Sequence, residues 1–316
     1  MTSRNRPRIL VTGGAGFIGI HTVRALAAEG HQVAVVDDFR HACGQDLPPE
    51  TSLIRGELSN AKTLSEIGRF RPQQVVHLAA QGGVARSMAH PAADAQNNVV
   101  ATVALLSESV RSGVQRVVFA SSGGAIYGHA SRLPTPETAS PRPLSPYGTA
   151  KLAGEEYLSM FQRTFGLASL SLRFGNVYGP HQDGTGEAGL VAITSRRLLE
   201  GKLPVVRGDG LQSRDFVFVA DVVEAILRSL ATDVTGRLNI GTGVATTVNR
   251  VVSLLSRASG RPSSPLTVEP VAGEVRHGCL DIQRATRAIG WRPRTKLAAG
   301  LRQTWASFSD STHVSS

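Results

Sequence analysis

Cysteine is scarce in this chain, and long apolar runs are missing from it. Two cysteines, Cys43 and Cys279, occur among 316 residues, too few for a disulfide framework or a cysteine metal site, so no metal site is expected. No apolar run approaches the roughly 18–20 residues that a membrane-spanning helix needs. The basic first eight residues lead straight into a predicted strand, without the apolar segment of a signal peptide. We therefore expect a cytoplasmic, reduced protein that has no membrane partner.

A concentrated basic tract is also missing, although the net charge is +10, with 34 Lys and Arg against 24 Asp and Glu. Scattered positive charge favours a solvated arginine-rich surface with anionic small-molecule ligands over a nucleic-acid partner. A dinucleotide and a nucleotide-sugar each carry a pyrophosphate, and both would suit a basic cleft.

Apolar runs alternate with helical segments through the first half of the chain. The predicted strands cover residues 8–12, 33–36, 52–55, 74–78, 116–120 and 169–174. The predicted helices cover residues 15–29, 61–69, 94–112 and 147–165. This alternation is typical of a parallel sheet with helices on both faces. The pattern loosens after residue 176, where we expect a smaller α/β domain.

The segment TGGAGFIG follows the first predicted strand and opens the first predicted helix. Gly14, Gly16 and Gly19 fit the G-x-G-x-x-G pattern, in which glycines permit a tight turn, close approach to a pyrophosphate and close helix–strand packing. The helix N-terminus then offers free N–H groups to the phosphates. The sequence therefore predicts a Rossmann-type, doubly wound sheet with cofactor contacts from Gly13, Gly16, Phe17, Ile18 and Gly19.

Acidic residues follow the second and third predicted strands. Asp37 comes 18 residues after Gly19, beside Asp38. A carboxylate there can bond a ribose 2′-hydroxyl and would repel a 2′-phosphate, which favours NAD over NADP. Glu57 could accept a bond from the adenine amino group, or could be a solvated loop acid. Further cofactor contacts are expected at Asp38, Leu58, Leu78, Ala79 and Ala80.

Tyr147 and Lys151 are spaced four residues apart on a predicted helix, so they share one face. A phenol has a pKa near 10. We expect the ammonium and a bound nicotinamide cation to lower that pKa, which would make Tyr147 a general base. Ser121 and Ser122 end the preceding strand, where a hydroxyl could bond the substrate oxygen. Either serine could take this role, and either could instead cap the strand end.

The order and spacing of these segments resemble the extended short-chain dehydrogenase/reductases and, within them, the nucleotide-sugar 4-epimerases typified by UDP-glucose 4-epimerase. The resemblance covers about residues 8 to 293 and rests on TGGAGFIG, HLAA, SSGGAIYG, SPYGTAK, LRFGNVYGP, GDGLQSRDFVFVADVV, NIGTG, GEVRHGCLD and IGWRP. It implies tightly held NAD, a Ser/Thr-Tyr-Lys catalytic group and a homodimer formed through a four-helix bundle. Further expected cofactor contacts are Phe174, in LRFGNVYGP, and Tyr147 and Lys151, of which Lys151 could bond the nicotinamide ribose.

The resemblance also implies two domains. We expect residues 1–174, with 215–241 returning to them, to form the NAD-binding domain. Residues 175–214 and 242–316 would then form the nucleotide-sugar domain. One departure concerns the catalytic hydroxyl, because many relatives carry Ser or Thr four residues before the tyrosine of the V-Y-G segment. That position here is Gly123, and Ser122 is the nearest hydroxyl. We therefore assign the catalytic hydroxyl to Ser122 and leave Ser121 open.

Missing acids favour epimerisation over the other reactions of this fold. Sugar 4,6-dehydratases carry an Asp–Glu pair where this chain has Gly124 and Ala125. Decarboxylases keep the Glu, and uronate epimerases place an Arg where this chain has Asp183. A dehydratase, a uronate enzyme and a non-catalytic NAD-binding regulator remain alternatives, although a regulator would need neither Tyr147 nor Lys151.

Candidate substrate contacts lie in the second half of the chain. The resemblance places Asn176 at the substrate diphosphate and Val205 at its base. Arg214 and Arg276 are the best candidates to neutralise the diphosphate, because guanidinium groups suit phosphate oxygens. In related epimerases a residue after the E-V-R-H segment gates the space beside the sugar C2 substituent. Here that position is Gly278 or Cys279, and both are small.

Overall fold

The computed structural model describes residues 6–43, 45–185, 189–261, 264–269 and 275–313. Its strands are β1 (Arg8–Thr12), β2 (Gln32–Asp37), β3 (Ser52–Arg55), β4 (Gln74–His77), β5 (Arg116–Ser122), β6 (Ala168–Phe174), β7 (Asn176–Tyr178), β8 (Val205–Arg207), β9 (Ser213–Phe218), β10 (Gly236–Ile240), β11 (Ala245–Thr247) and β12 (Leu266–Val268). Its helices are α1 (Phe17–Ala28), α2 (Ala61–Phe70), α3 (Val84–Ala89), α4 (Pro91–Ala95), α5 (Ala101–Arg111), α6 (Gly123–Ile126), α7 (Pro146–Phe165), α8 (Leu190–Leu199), α9 (Val219–Leu230), α10 (Val248–Ser259), α11 (Gln283–Ile289) and α12 (Leu297–His313).

The long strands form one seven-stranded sheet in the order β10-β6-β5-β4-β1-β2-β3. Pairing is parallel between β1 and β2, β1 and β4, β2 and β3, and β4 and β5. Strands β1, β2, β4 and β5 are almost continuously buried and have apolar centres, as expected for parallel strands covered on both faces. The predicted Rossmann-type α/β class is confirmed.

The order of the strands reverses between β1 and β4. In open parallel sheets, ligands bind outside the carboxyl ends of the strands at such a switch point. The glycine loop after β1 and the segment after β4 therefore meet where a dinucleotide is expected. One face of this sheet is closed by a core in which Leu10 and Phe119 pack with Leu105, Leu158 and Phe161.

The helical stretch predicted near 94–112 is present, but it starts at Pro91 and contains a π-helical turn. The chain forms α4, then a π-helical segment at Gln96–Val100, and then α5 without a break. A π-segment inside a helix widens one turn and is frequent at functional sites. It turns the buried side chain of Asn98 toward Gln81, a contact described below.

The chain forms two compact units. The first contains Met1–Ser122, Ser145–Arg173 and Val223–Leu238, and the second contains Gly123–Leu144, Phe174–Val222 and Asn239–Ser316. These bounds differ from the expected domains mainly at 123–144 and at 215–222, which belong to the second unit. The functional assignment of the domains stays a prediction.

The described residues of the second unit form two small sheets. Strand β9 pairs in parallel with β7 and antiparallel with β11, while β8 pairs in parallel with β12. Its core joins Tyr178, Phe216 and Phe218 to Val251 and Leu301. In the described ranges of either unit, no helix is both long and apolar enough to cross a membrane.

Candidate active site

The loop between β1 and α1 has the geometry of a phosphate cradle. Gly13 has a φ of +69°, and a Cβ there would lie 2.7 Å from the backbone nitrogen of Ala79. A Cβ on Gly19 would lie 2.0 Å from the Gly13 carbonyl oxygen, so only glycine permits this contact between helix and loop. Gly16 is the N-cap of α1, and no side-chain cap bond is seen there among the described residues. The first N–H groups of α1, from Phe17 and Ile18, therefore suit the pyrophosphate of NAD.

Asp37 is held against this loop at the end of β2. Its Oδ2 accepts a hydrogen bond from the Ala15 backbone N–H at 2.9 Å, and its Oδ1 accepts one from the Phe39 N–H at 2.8 Å. Each carboxylate oxygen keeps a further lone pair, because a carboxylate can accept about four bonds. The arrangement suits the ribose hydroxyls of NAD.

Arg40 engages the two other predicted acids, a contact that the sequence analysis missed. Its Nε donates to Asp38 Oδ2 at 2.8 Å, and its Nη2 contacts Glu57 Oε1. Any bond from Glu57 to an adenine would share the carboxylate with this guanidinium. Leu58, the neighbour of Glu57, is buried in the core of the first unit.

The segment after β4 lies beside the glycine loop. The Leu78 N–H donates to the Thr12 carbonyl at 3.1 Å, and the Ala79 N–H donates to Thr12 Oγ1 at 3.2 Å. Ala80 is exposed. The small side chains leave this end of the sheet open.

Helix α7 carries Tyr147 and Lys151. It begins with a defined cap, because Ser145 Oγ accepts from the Gly148 N–H at 3.1 Å and Pro146 occupies the first turn. Lys151 is buried, and its Nζ donates to the Ala120 carbonyl at 2.9 Å. The same Nζ lies 5.8 Å from the centre of the Tyr147 ring. Residues on one face of α7 thus meet the end of β5.

The pKa of Tyr147 is not lowered in the protein alone, and the lowering expected when a nicotinamide cation is bound stays a prediction. Desolvation raises the pKa of Tyr147 to about 12, and a hydrogen bond from Ser122 opposes the shift. Desolvation also lowers the pKa of Lys151 to about 8, while the nearby carboxylate of Asp94 opposes that shift. The phenol is therefore neutral at pH 7 unless further positive charge reaches the site.

The two serines at the end of β5 point to different partners. Ser122 hydrogen-bonds with the Tyr147 side chain. Ser121 is buried, and its Oγ donates to Glu155 Oε1 at 2.6 Å. Of the two, only Ser122 is placed beside the phenol, and its role toward substrate stays a prediction.

Two further residues near Lys151, Asp94 and Asn98, were not predicted from the sequence as part of the site. Asn98 Nδ2 donates to Asp94 Oδ1 at 2.9 Å, and Asn98 Oδ1 accepts from the Gln81 N–H at 2.7 Å. Asp94 is fully buried, and burial raises its pKa. The signal was an Asp and an Asn four residues apart, which is common on solvated helices and therefore uninformative.

The second unit contains a cavity with predicted substrate residues in its wall. Asn176, Arg214, Gly278 and Cys279 line it, together with Tyr127. Arg214 Nη1 donates to the Ser213 carbonyl at 2.9 Å. The wall thus brings together a guanidinium and an amide, groups that suit phosphate oxygens.

Three other predicted residues lie elsewhere in the described chain. Arg276 is exposed and pairs with Asp209, its Nη2 lying 2.5 Å from Oδ2. Val205 lies on β8 opposite Leu266. Phe174 is buried at the end of β6.

Comparison with known proteins identifies the family to which the chain belongs. Residues 9–241 match the model of the NAD dependent epimerase/dehydratase family. A UDP-glucose 4-epimerase of Mycolicibacterium smegmatis is 40% identical over 303 residues, which cover 94% of this chain and 97% of that protein.

Two solved structures are similar over nearly their whole length. One is Thermotoga maritima UDP-glucose 4-epimerase with UDP-glucose, with a TM-score of 0.94 and 42% identity over 96% of this chain and 99% of that one. The other is Thermus thermophilus UDP-glucose 4-epimerase in complex with NAD. It has a TM-score of 0.90 and 39% identity, over 95% of this chain and 98% of that one. The predicted NAD dependence is confirmed. The chain belongs to the NAD-dependent epimerase/dehydratase family.

Proposed function

We propose that this chain epimerises C4 of a UDP-hexose, interconverting UDP-glucose and UDP-galactose through a transient 4-keto sugar. The observation that carries the proposal is the placement of Ser122 and Lys151 around Tyr147 at the end of β5. The glycine loop and Asp37 lie at the same edge of the sheet. Relatives named as UDP-glucose 4-epimerases support the choice of substrate.

Bound NAD supplies a hydride acceptor and donor, and its positive nicotinamide ring favours the phenolate of Tyr147. Tyr147 takes the proton of the C4 hydroxyl as C4 is oxidised, and it returns that proton when C4 is reduced on the other face. Ser122 hydrogen-bonds the same oxygen. Lys151 keeps a positive charge beside the phenol and lowers the free energy of its anionic form.

The segment after β5 supports epimerisation over dehydration. Helix α6 is formed by Gly123–Ile126, so the positions at which dehydratases carry an acid pair hold Gly124 and Ala125. Elimination of water across C5 and C6 needs an acid and a base there. We propose that the 4-keto sugar is instead only turned over and reduced.

The substrate residues are assigned to the second unit. We propose that Asn176, Arg214 and Arg276 bind the diphosphate and that Val205 contacts the uracil. Arg276 would then exchange its bond to Asp209 for one to phosphate. Gly278 leaves room beside C2, since a Cβ there would meet only the Ser213 carbonyl, at 3.9 Å, among described residues. We therefore propose that UDP-GlcNAc is also a substrate.

Proton NMR of the purified protein with UDP-glucose, UDP-galactose or their N-acetyl forms tests the proposal. We expect the C4 epimer of each to appear without added reductant, with no net redox change. The Tyr147→Phe variant is the matched control. A 4-keto-6-deoxy sugar among the products would establish a dehydratase instead, and an unchanged spectrum with all four would refute the proposal.

We also propose that the protein is a homodimer that joins α5 and α7 of two copies. These helices pack against each other within the first unit. Val100 and Tyr157 are apolar side chains exposed on this part of the unit, at 47% and 38%. A second copy would cover them.

A further inference from the structure

A buried ion pair lies further along the face of α7 that carries Tyr147 and Lys151. Arg173 Nε donates to Glu155 Oε1 at 2.8 Å, and its Nη2 donates to Oε2 at 2.6 Å. The two side chains are 0% and 4% exposed. Arg237 Nη1 lies 3.9 Å from Oε2 of the same carboxylate, and the Arg237 side chain is 41% exposed.

Ser121 is the third member of this group. Its Oγ donates to Glu155 Oε1 at 2.6 Å, so that oxygen accepts from both a guanidinium and a hydroxyl. The carboxylate thus ties together β5 through Ser121, β6 through Arg173 and α7 through Glu155 itself.

The register of these residues brings the group close to the proposed catalytic residues. Glu155 follows Lys151 by four positions and Tyr147 by eight, so all three share one face of α7. Ser121 immediately precedes Ser122. The end of β5 is therefore held to α7 at two successive residues, by Lys151 Nζ on the Ala120 carbonyl and by Glu155 on Ser121.

A gain in folding stability does not explain why Ser121, Glu155 and Arg173 form a buried charged group. Removing two charges from water is costly, and an apolar pair of similar volume is often equally stable or more so. Fixed geometry is what the pair provides, because a bidentate Arg–carboxylate contact allows little freedom of orientation. On the basis of the proposed epimerase function, we propose that Ser121, Glu155 and Arg173 are positioning residues that hold Ser122 in register with the Tyr147 phenol.

The test is the Ser121→Ala variant, which removes the tie to β5 and leaves the ion pair intact. Its matched control is Ser169→Ala, because Ser169 is also buried and bonds α7 at the Leu158 carbonyl, far from Tyr147. Misplacement of a reacting group by about 1 Å can cost 10²-fold in rate. We expect Ser121→Ala to lower kcat by about tenfold to 100-fold, with KM changed less than about threefold. Ser169→Ala should keep the parent kcat.

A spectroscopic measurement on substrate-free protein separates positioning from direct contact. Tyrosine is labelled with ¹³C at Cζ, and the Tyr147 resonance is identified by its loss in Tyr147→Phe. We expect Ser121→Ala, and not Ser169→Ala, to move that resonance, because the hydrogen bond from Ser122 changes. A fall in kcat with an unmoved resonance would mean that Ser121 touches substrate, and would overturn the proposal.

An unchanged kcat in Ser121→Ala would also overturn the proposal that Ser121 positions Ser122. If the parent epimerises none of the four sugars, the proposed function fails, while the resonance still tests the positioning of Ser122.

Discussion

Tyr147 is the single residue at which a change should affect the reaction most. Tyr147→Phe removes the proposed proton carrier, and general acid–base groups contribute roughly 10²–10⁴-fold to rate. We expect kcat to fall by that amount, with NAD content close to that of the parent. Steady-state kinetics and the absorbance of released cofactor measure the two quantities.

The control is Tyr157→Phe, which changes an exposed phenol on the same helix. It should retain parent activity. Near-parent kcat in Tyr147→Phe would remove Tyr147 from the proposed mechanism.

Gly278 is the residue at which we expect substrate breadth to be set. Gly278→Tyr would place a ring in the space beside the sugar C2 and should suppress turnover of UDP-GlcNAc by about tenfold or more, a loss of roughly 1.4 kcal/mol in transition-state binding. UDP-glucose turnover should be largely spared. Ratios of kcat/KM for the two sugars, with Gly278→Ala as control, decide this. Equal losses on both sugars would show that Gly278 is not the gate.

Patterns within a short window were enough to predict several site residues, and others depended on tertiary contacts. The glycine loop and the Tyr147–Lys151 pair are local motifs with fixed spacing. Arg40 contacts Glu57 across 17 positions, and Ser121 contacts Glu155 across 34. Nothing in the local sequence distinguishes such partners from solvated side chains. The raised pKa of Tyr147 in the protein alone could not be predicted, because burial of the phenol is a tertiary property.

At the scale of elements, the His77 side chain connects strand β4 to strand β1 and to helix α5 in the core. Its Nδ1 lies 2.7 Å from Thr12 Oγ1 on β1, and its Nε2 lies 2.9 Å from Thr102 Oγ1 on α5. Burial lowers its pKa to about 3 from an ordinary value near 6.5. Between these values the unfolded chain binds a proton that the folded protein does not, so stability rises with pH across this window and falls on acidification.

We therefore expect the parent to lose about 2 kcal/mol of unfolding free energy through His77 between pH 7 and pH 5, at about 1.4 kcal/mol per pH unit below pH 6.5. His77→Gln should lose less over the same interval, whatever its stability at pH 7. Urea unfolding at both pH values measures the difference. Parallel losses in parent and variant would show that His77 is protonated in the fold.

Elements with a full apolar run were predictable, whereas the shortest ones were not. Strands β1 to β6 match the sequence prediction within about two residues at each end. In all of them except the exposed edge strand β3, burial on both faces leaves an apolar signal in the sequence. Strands β7, β8, β11 and β12 have three residues each and no periodicity to read. The π-segment at Gln96–Val100 was missed because its apolar pattern continues that of α5.

At the scale of the whole molecule, the proposed dimer has a direct test. Val100→Glu combined with Tyr157→Glu should convert the protein to a monomer, because a carboxylate buried in an apolar interface is costly. Sedimentation at several concentrations measures the molar mass. Leu211→Glu, at an exposed leucine of the second unit, is the control and should leave the mass unchanged. A parent that sediments as a monomer at micromolar concentration would contradict the proposal.

The division of the chain between its two units has a consequence for synthesis. The chain passes from one unit to the other at residues 122, 144, 173, 222 and 238, so neither unit is a continuous stretch of sequence. Strand β10, at one edge of the large sheet, ends at Ile240. A nascent chain on the ribosome therefore cannot complete that sheet until about three quarters of the chain has been translated. Until then, the edge of strand β6 that later pairs with β10 stays unpaired.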